Sequence, residues 1–207
     1  RLHEIHAELG PFELLAPLTR RFDEAGRRLY VVGGLVRDLI LGRDLDMTDV
    51  DCTTDAVPEE VIEIVGPWAD AVWTQGARFG TIGATHDGRT YEITTHRREV
   101  YVEDSRKPHV RYSTKIDDDL ARRDFTVNAM AVDLATGVLI DPFDGRADLD
   151  HAILRTPLDP DVSFSEDPLR MLRAARFHSG YELAPEPALV DSIERLRDRL
   201  RIVAIER

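Results

Sequence analysis

Lysine and cysteine are almost absent from this sequence. Lys107 and Lys115 are the only lysines among 27 lysine and arginine residues, so arginine supplies nearly all the positive charge. The planar fork of donors on arginine suits bidentate binding of a phosphate or a base edge, although a bias in genomic composition explains the same count. Cys52 is the only cysteine, which excludes an internal disulfide and a cysteine-based metal cage and is typical of a reducing compartment.

Long apolar runs and a secretion signal are also lacking. No apolar stretch approaches the ~18 residues that suggest a membrane span, and Arg1–Gly10 contains neither a signal-peptide core nor a Met. We therefore expect a cytoplasmic protein with no membrane partner, whose natural N-terminus lies upstream. With 39 acidic residues and a net charge of -12, the chain is not a basic protein that coats nucleic acid, and no DNA partner is expected.

The pattern of apolar residues divides the 207 residues into two parts. Residues 1–155 mix predicted helices with short strands, among them Leu29–Val32, Asp49–Thr53 and a hairpin that turns at Asp87-Gly88. A polar loop is predicted over Glu103–Asp118. From residue 156 to residue 207 the pattern is helical. The predicted fold class is therefore α+β, with a mixed-sheet head domain (1–155) and an all-helical neck (156–207) that pack closely together.

The acidic segment 44–55 superficially suggests a calcium loop, but Asp49 stands where an EF-hand needs Gly, and Asp55 where it needs Glu. On a strand, Asp49 and Asp51 share one face and Val50 takes the other. Two neighbouring carboxylates repel each other unless a cation lies between them, and Mg²⁺ is the usual hard cation with oxygen ligands. The pattern therefore indicates a Mg²⁺ site, and a solvated surface pair is the alternative.

Gly33 and Gly34 follow the first predicted strand and open a helix that carries Arg37. Without side chains, the glycines let backbone N–H groups approach an anion. The segment is neither a dinucleotide fingerprint nor a P-loop, because Gly-x-Gly-x-x-Gly and Gly-Lys-Ser/Thr are both missing. Its place just ahead of the acidic strand indicates a triphosphate held beside a metal, with a plain tight turn as the alternative.

Two further segments carry groups suited to the same chemistry. Glu92 projects from the second hairpin strand away from its apolar neighbours, so it is either a third carboxylate of a two-metal site or an exposed residue paired with an Arg. Arg123 is a candidate for phosphate binding, and Asp124 and Asn128 are candidates for hydrogen bonds to a ribose hydroxyl. A capped helix with a surface salt bridge is the alternative for this second segment.

The last segment, 166–177, predicts a helix with three arginines on one side and three apolar residues opposite. The arginines are Arg170, Arg173 and Arg176, and the apolar residues are Met171, Leu172 and Ala175. Three clustered guanidinium groups favour an anionic ligand over a plain solvated face. Asp167 and Arg170 lie one turn apart and offer an acceptor and a fork of donors, a pair that can read the Watson–Crick-type edge of a base.

Six segments, taken in order, resemble the class II tRNA nucleotidyltransferase and bacterial poly(A) polymerase family, and CCA-adding enzymes most of all. They are Val31–Asp38, Asp49–Ala56, Tyr91–Arg97, Arg122–Ala131, Asp141–Gly145 and Glu166–Phe177. The resemblance spans residues ~29–180 and implies a palm-like nucleotidyltransferase head followed by a helical neck. It implies attack of an RNA 3′-hydroxyl on the α-phosphate of CTP or ATP, which adds or repairs the 3′-CCA end of tRNA without a template.

The same resemblance implies roles for the candidate residues. It implies that Asp49 and Asp51 bind Mg²⁺, that Glu92 is the third carboxylate, that Gly34, Arg37 and Arg123 hold the triphosphate beside Gly33, and that Asp124 binds the ribose. It also implies that Asp167 and Arg170 template the incoming base and that Arg173 and Arg176 assist on the phosphates.

Two departures from the family bear on these expectations. Residues 43–48, ahead of the acidic pair, form a slightly long segment for the family. Family members also continue through a helical body and tail that grip tRNA, so we expect this chain to be a fragment that binds Mg²⁺-nucleotide but adds CCA poorly. A bacterial poly(A) polymerase shares all six segments, and a catalytically silent RNA-binding module would keep the same fold.

Overall fold

The computed structural model describes residues 10–100 and 109–203. Its α-helices are α1 (Ala16–Glu24), α2 (Gly34–Ile40), α3 (Pro58–Val65), α4 (Ile116–Ala121), α5 (Gly145–Asp150), α6 (Pro160–Glu166), α7 (Leu169–Tyr181), α8 (Pro187–Leu196) and α9 (Leu200–Val203). Its strands are β1 (Leu29–Val32), β2 (Asp49–Thr54), β3 (Ala71–Trp73), β4 (Thr81–His86), β5 (Arg89–Thr95), β6 (Arg97–Val100), β7 (His109–Tyr112), β8 (Ala131–Asp133), β9 (Leu139–Ile140), β10 (Ile153–Leu154) and β11 (Ala184–Pro185). Short 3₁₀ helices cover Gly10–Leu15, Ala77–Phe79, Thr126–Asn128 and Arg197–Arg199.

A seven-stranded mixed sheet with the order β3-β4-β5-β2-β1-β8-β9 forms the centre of the head. β2 and β5 run parallel, and the other neighbouring pairs of this sheet are antiparallel. Asp87 and Gly88 close the β4–β5 hairpin with φ angles of 49° and 73°, the left-handed geometry of a two-residue hairpin turn. The parallel pair brings Asp51 opposite Glu92, and this register positions the candidate site.

One face of the sheet carries the main hydrophobic core. Alternation along β2 and β5 turns Val50, Cys52 and Ile93 to this face, where each is at most 2% exposed. Phe22 of α1 and Val61 of α3 are fully buried in the same cluster. Because these apolar residues occupy one face, the residues that alternate with them point to the other face of the sheet.

A smaller apolar cluster lies on that second face. It contains Val32 of β1 and Ala131 of β8, which are register partners, together with Leu120 of α4 and Ala129. α4 therefore packs over the β1–β8 side of the second face. The strands that carry the acidic residues, β2 and β5, lie next to this cluster in the sheet.

The helices after residue 155 pack on the head through a shared core. Phe177 of α7 meets Phe125 of the head, with ring centroids 5.3 Å apart. Phe164 of α6 and Leu189 of α8 belong to the same buried cluster as the core of the sheet. Head and neck are thus packed closely, as the sequence predicts, and the boundary at residue 155 stays a prediction.

The α+β class and most predicted elements are confirmed, and two expectations are wrong. The predicted polar loop contains β7, which pairs with β6, and the start of α4; residues 103–108 of that loop lie outside the described ranges. The neck is not entirely helical, because β11 pairs in parallel with β10 of the head. A two-residue strand has no periodicity to recognise, so the pattern of apolar residues cannot reveal it.

Within the described residues, helical structure precedes β1 from Gly10 to Glu24. Among the helices that are described, none has both the length and the apolar character needed to cross a membrane.

Candidate active site

Three acidic residues gather on the second face of the sheet. Asp49 and Asp51 alternate with buried Val50 on β2, and Glu92 is the register partner of Asp51 on β5. All three are solvent-exposed as residues, whereas Val50 is 1% exposed. The parallel β2–β5 pair thus converts two separate sequence motifs into one cluster of carboxylates, as the sequence predicts.

The negative charges of this cluster act on one another. Although both residues are exposed at the surface, the surrounding protein removes part of the water around the carboxyl groups of Asp51 and Glu92. This desolvation raises the pKa of Asp51; Arg123 lowers it by a smaller amount, and Asp49 raises it further. Desolvation also raises the pKa of Glu92, and the charges of Asp51 and Asp49 add to that shift. Carboxylates that disfavour ionisation in this way are stabilised by a nearby cation.

The residues of this cluster fit a Mg²⁺ ion that is shared with a substrate. In the described part of the chain, no three His, Cys, Asp or Glu side chains converge closely enough to hold an ion by themselves. Mg²⁺ sites of nucleotide-handling enzymes commonly use one or two carboxylates, with phosphate oxygens and water completing the octahedron. Asp49 and Asp51, two residues apart on one face of β2, supply that number of carboxylates.

The Gly33 turn lies against Arg123. Gly33 has φ 73° and ψ -131° and precedes α2, a conformation that side chains with a Cβ rarely adopt. A Cβ on Gly33 would lie 3.1 Å from Nη1 of Arg123. Arg123 is also 3.4 Å from Oδ2 of buried Asp119, so its positive charge is held between the glycine turn and the acidic cluster.

Arg37 lies beneath the turn and is held by the protein itself. It is 6% exposed, and it donates from Nη1 to Oδ1 of Asn128 (2.7 Å) and from Nη2 to the hydroxyl of Tyr181 (2.6 Å). Its guanidinium lies 4.2 Å from the centroid of the Tyr181 ring and forms an ion pair with Asp38. Nη2 also lies 3.5 Å from a Cβ built on Gly34, so Arg37 supports the turn from below.

Asp124 and Asn128 form a buried network with Arg173 of the neck. Oδ1 of Asp124 accepts hydrogen bonds from the backbone N–H of Phe125 (2.8 Å) and from Nδ2 of Asn128 (3.0 Å). Oδ2 of Asp124 accepts from Nε of Arg173 at 2.8 Å. The structure therefore brings together Asp124 and Asn128, predicted to bind the ribose, and Arg173, predicted to bind phosphate. In the structure these groups hydrogen-bond to one another.

Asp167 and Arg170 lie at the start of α7, where the neck meets the head. Oδ1 of Asp167 accepts from the backbone N–H of Leu169 at 3.0 Å. Arg170 donates from Nη1 to Oγ of Ser163 (2.9 Å) and from Nη2 to the carbonyl of Arg122 (2.5 Å). Arg170 is thus anchored to both parts of the chain.

The buried side of α7 differs from the predicted one. Met171, Ala174 and Phe177 are buried, whereas Leu172 is 55% exposed and Ala175 and Arg176 are exposed. The prediction that Leu172 and Ala175 lie on the apolar side is therefore wrong. Met171, Ala174 and Phe177, at positions i, i+3 and i+6, form the buried side of the helix, and Phe177 packs there against Phe125 of the head.

Several residues at the site were not identified from the sequence. Tyr181 follows Phe177 by four residues on α7, and the two rings stack with their centroids 5.2 Å apart. The i, i+4 spacing is the sequence feature from which this contact could have been predicted. Asp119 holds Arg123, and the pair shows the i, i+4 spacing of a helical ion pair. His96 is bonded through Nδ1 to Oγ1 of Thr53 at 2.8 Å, and no local sequence pattern predicts that contact.

Known proteins resemble this chain in sequence and in fold. A family profile described as the poly(A) polymerase head domain matches residues 29–155. The CCA-adding enzyme of Lactobacillus helveticus is 42% identical over 192 residues, which cover 92% of this chain and 46% of that enzyme. The chain spans about half the length of the curated relatives it matches.

Solved structures share the fold. The CCA-adding enzyme of Bacillus stearothermophilus in complex with CTP superposes with a TM-score of 0.76 at 37% identity, over 89% of this chain and 43% of that one. A tRNA nucleotidyltransferase complexed with a primer tRNA and an incoming ATP analog superposes with a TM-score of 0.71 at 31% identity, over 87% of this chain and 50% of that one.

Proposed function

The chain belongs to the poly(A) polymerase head-domain family, and on that basis we propose that it is the nucleotidyl-transferring part of an enzyme that adds the 3′-CCA end of tRNA. Its substrates are then CTP, ATP and an RNA with a free 3′-hydroxyl. The observation that carries the proposal is the register of the parallel strands β2 and β5, which pairs Asp51 with Glu92 and leaves Asp49 on the same face.

In the proposed reaction, the RNA 3′-oxygen forms a bond to the α-phosphorus of the nucleotide. The bond from that phosphorus to the oxygen bridging to the β-phosphate breaks, pyrophosphate leaves, and the hydroxyl proton is released. Asp49 and Asp51 would hold the Mg²⁺ ion, which would supply Lewis-acid polarisation of the phosphate and of the attacking hydroxyl. Glu92, beside Asp51, adds a third negative charge next to the place proposed for the cation and the RNA 3′ end.

The phosphates of the nucleotide are assigned to the Gly33 turn. Arg123 points a guanidinium nitrogen at this turn, and Asp119 fixes its direction. Arg37 holds the turn in place through Gly34, since its own donors are engaged by Asn128 and Tyr181. This arrangement supports preorganised binding of the leaving pyrophosphate.

The base of the nucleotide is assigned to Asp167 and Arg170. Hydrogen bonds to Ser163 and to the carbonyl of Arg122, together with an ion pair to Glu166, fix the direction of the Arg170 guanidinium. The N–H groups of this five-donor fork that are not engaged in these contacts are the proposed donors to a base edge. Oδ2 of Asp167 is the matching acceptor, because Oδ1 is bonded to Leu169. A protein-borne donor–acceptor pair of this kind explains addition without a nucleic-acid template.

Incorporation assays with single nucleotides test the proposal. The protein is incubated with Mg²⁺, an RNA that ends before CCA, and CTP, ATP, GTP or UTP alone. Addition of C from CTP, and its loss in Asp49→Asn and Asp51→Asn variants that unfold at the wild-type temperature, is the expected result. Absence of incorporation from every nucleotide by folded wild-type protein refutes it.

Poly(A) addition is the second candidate, since the matching family is described by that activity. The same assay separates the two, because a poly(A) polymerase extends RNA repeatedly with ATP and does not incorporate CTP. A reaction that stops after one A on RNA ending in CC assigns the protein to CCA addition.

A further inference from the structure

One row of paired residues crosses the sheet on the face of the acidic cluster. Trp73 of β3 is the register partner of Gly83 on β4, and Gly83 is the partner of Glu92 on β5. Glu92 is in turn the partner of Asp51. Paired residues on neighbouring strands point to the same side of a sheet, so Trp73 shares the face of the carboxylates and stands two strands from Glu92.

The indole of Trp73 fills the place that a side chain at Gly83 would occupy. A Cβ built on Gly83 would overlap Cε2, Nε1 and Cζ2 of Trp73. The ring therefore lies over the Gly83 backbone and extends from the edge strand towards Glu92. Strands are about 4.8 Å apart, so the indole forms a wall within one strand spacing of the third carboxylate.

Within the described residues, this indole lacks the ring contacts that the other tryptophan makes. Trp68, the other tryptophan, packs against the rings of His86 (4.1 Å) and Tyr91 (5.0 Å). Trp73 is only partly buried, and within residues 10–100 and 109–203 it has neither an aromatic partner nor a cation over its ring. A flat apolar surface is thus available at the border of the acidic cluster.

We propose that Trp73 is the stacking surface for the base of the RNA 3′-terminal nucleotide. The inference rests on the proposed function and deepens it, because that function requires the terminal 3′-hydroxyl to lie beside the carboxylates. Every nucleobase has a π face, so stacking on an aromatic side chain tolerates any base. CCA addition needs that tolerance, since the terminal base of the RNA changes after each step, whereas a subsite built from hydrogen bonds would reject most of these ends.

Two single-tryptophan variants test the contact without any need for turnover. Trp68→Phe leaves Trp73 as the fluorophore, and Trp73→Phe leaves Trp68 as the matched control. Each is titrated in EDTA with an RNA hairpin that carries a single-stranded 3′ end. We expect quenching of Trp73 emission, no change in Trp68 emission, and loss of the quenching when the terminal nucleotide of the RNA is abasic.

Kinetics give an independent measurement. Trp73→Ala is expected to raise KM for the RNA on the order of ten-fold and to leave KM for CTP unchanged, whereas Trp73→Phe stays close to wild type. Gly83→Ala should act like Trp73→Ala, because the added methyl group displaces the ring. Thermal unfolding of each variant identifies any that fail to fold.

The outcomes separate this inference from the function it rests on. The role of Trp73 is refuted, and the proposed function is not, if the wild-type protein incorporates nucleotides but RNA does not change the emission of Trp73. The same conclusion follows if the abasic RNA quenches that emission equally. Wild-type protein that incorporates no nucleotide refutes the function, and the fluorescence titration still decides whether Trp73 stacks on an RNA end.

Discussion

Arg173 of the neck directs two guanidinium nitrogens at one carboxylate oxygen of the head. Its Nε lies 2.8 Å and its Nη2 2.6 Å from Oδ2 of Asp124. Asp124 is buried and Arg173 is half exposed, so the head supplies a fixed acceptor and the neck brings the donor to it. The pair therefore joins the head to the neck through two residues that are 49 positions apart in the sequence.

Removal of this pair should loosen the neck. We expect Arg173→Ala to lower the free energy of unfolding by about 1–2 kcal/mol, because buried Asp124 loses its charged donor. Urea denaturation measures the change. Arg176→Ala is the matched control on the same helix, since that residue is exposed, and equal stability of the two variants would contradict the expectation.

The Gly33 turn should be sensitive to a single methyl group. Gly33→Ala and Gly42→Ala both place a Cβ at a positive φ, 73° and 63° respectively, and each should cost about 1–3 kcal/mol of stability. Only at Gly33 does the new Cβ meet Arg123; at Gly42 nothing lies within 4 Å. Affinity for CTP, measured by calorimetry, should therefore fall in Gly33→Ala and stay unchanged in Gly42→Ala.

The acidic cluster should destabilise the metal-free protein. Burial raises the pKa of Asp51, so its ionised form is disfavoured in the fold, and protonation relieves the penalty as the pH falls through that raised value. In EDTA, Asp51→Asn should be at least as stable as wild type at pH 8, and the difference should shrink towards about pH 4, near the ordinary pKa of an aspartate. Urea denaturation at both pH values checks this. Added Mg²⁺ should raise the stability of wild type and have a smaller effect on the variant.

His96 should make stability depend on pH in the opposite direction. Burial lowers its pKa, and Asp119 opposes that shift only in part. The unfolded chain therefore takes up a proton near pH 6.5 while the folded chain does not, so the free energy of unfolding falls as the pH drops below about 6.5, by at most about 1.4 kcal/mol per pH unit. We expect His96→Gln to lose less stability than wild type between pH 7.5 and pH 5.5. The exposed His151→Gln should follow wild type.

The sequence predicts the carboxylate face of the site because alternation is a local property. Asp49, Val50 and Asp51 reveal the two faces of β2 without knowledge of the neighbouring strands. The same holds for Glu92 between Tyr91 and Ile93, and the structure confirms that these residues share a face.

The parts that the sequence does not predict depend on contacts between distant residues. The buried side of α7 is chosen by Phe125 of the head, so helical periodicity alone misplaces Leu172. The engagement of Arg37 by Tyr181 joins residues 144 positions apart. The β10–β11 pair joins two strands of two residues each, too short for any pattern.

The parallel pairing of β2 with β5 has a consequence for how the protein reaches its native state. β3 and β4 lie between β2 and β5 in the chain, so Asp51 meets Glu92 across a long stretch of sequence. Contacts between residues so far apart in sequence slow the folding of a chain. Asp51 meets Glu92 only when β2 and β5 pair, so capture of a divalent cation by the cluster should report the formation of that pair.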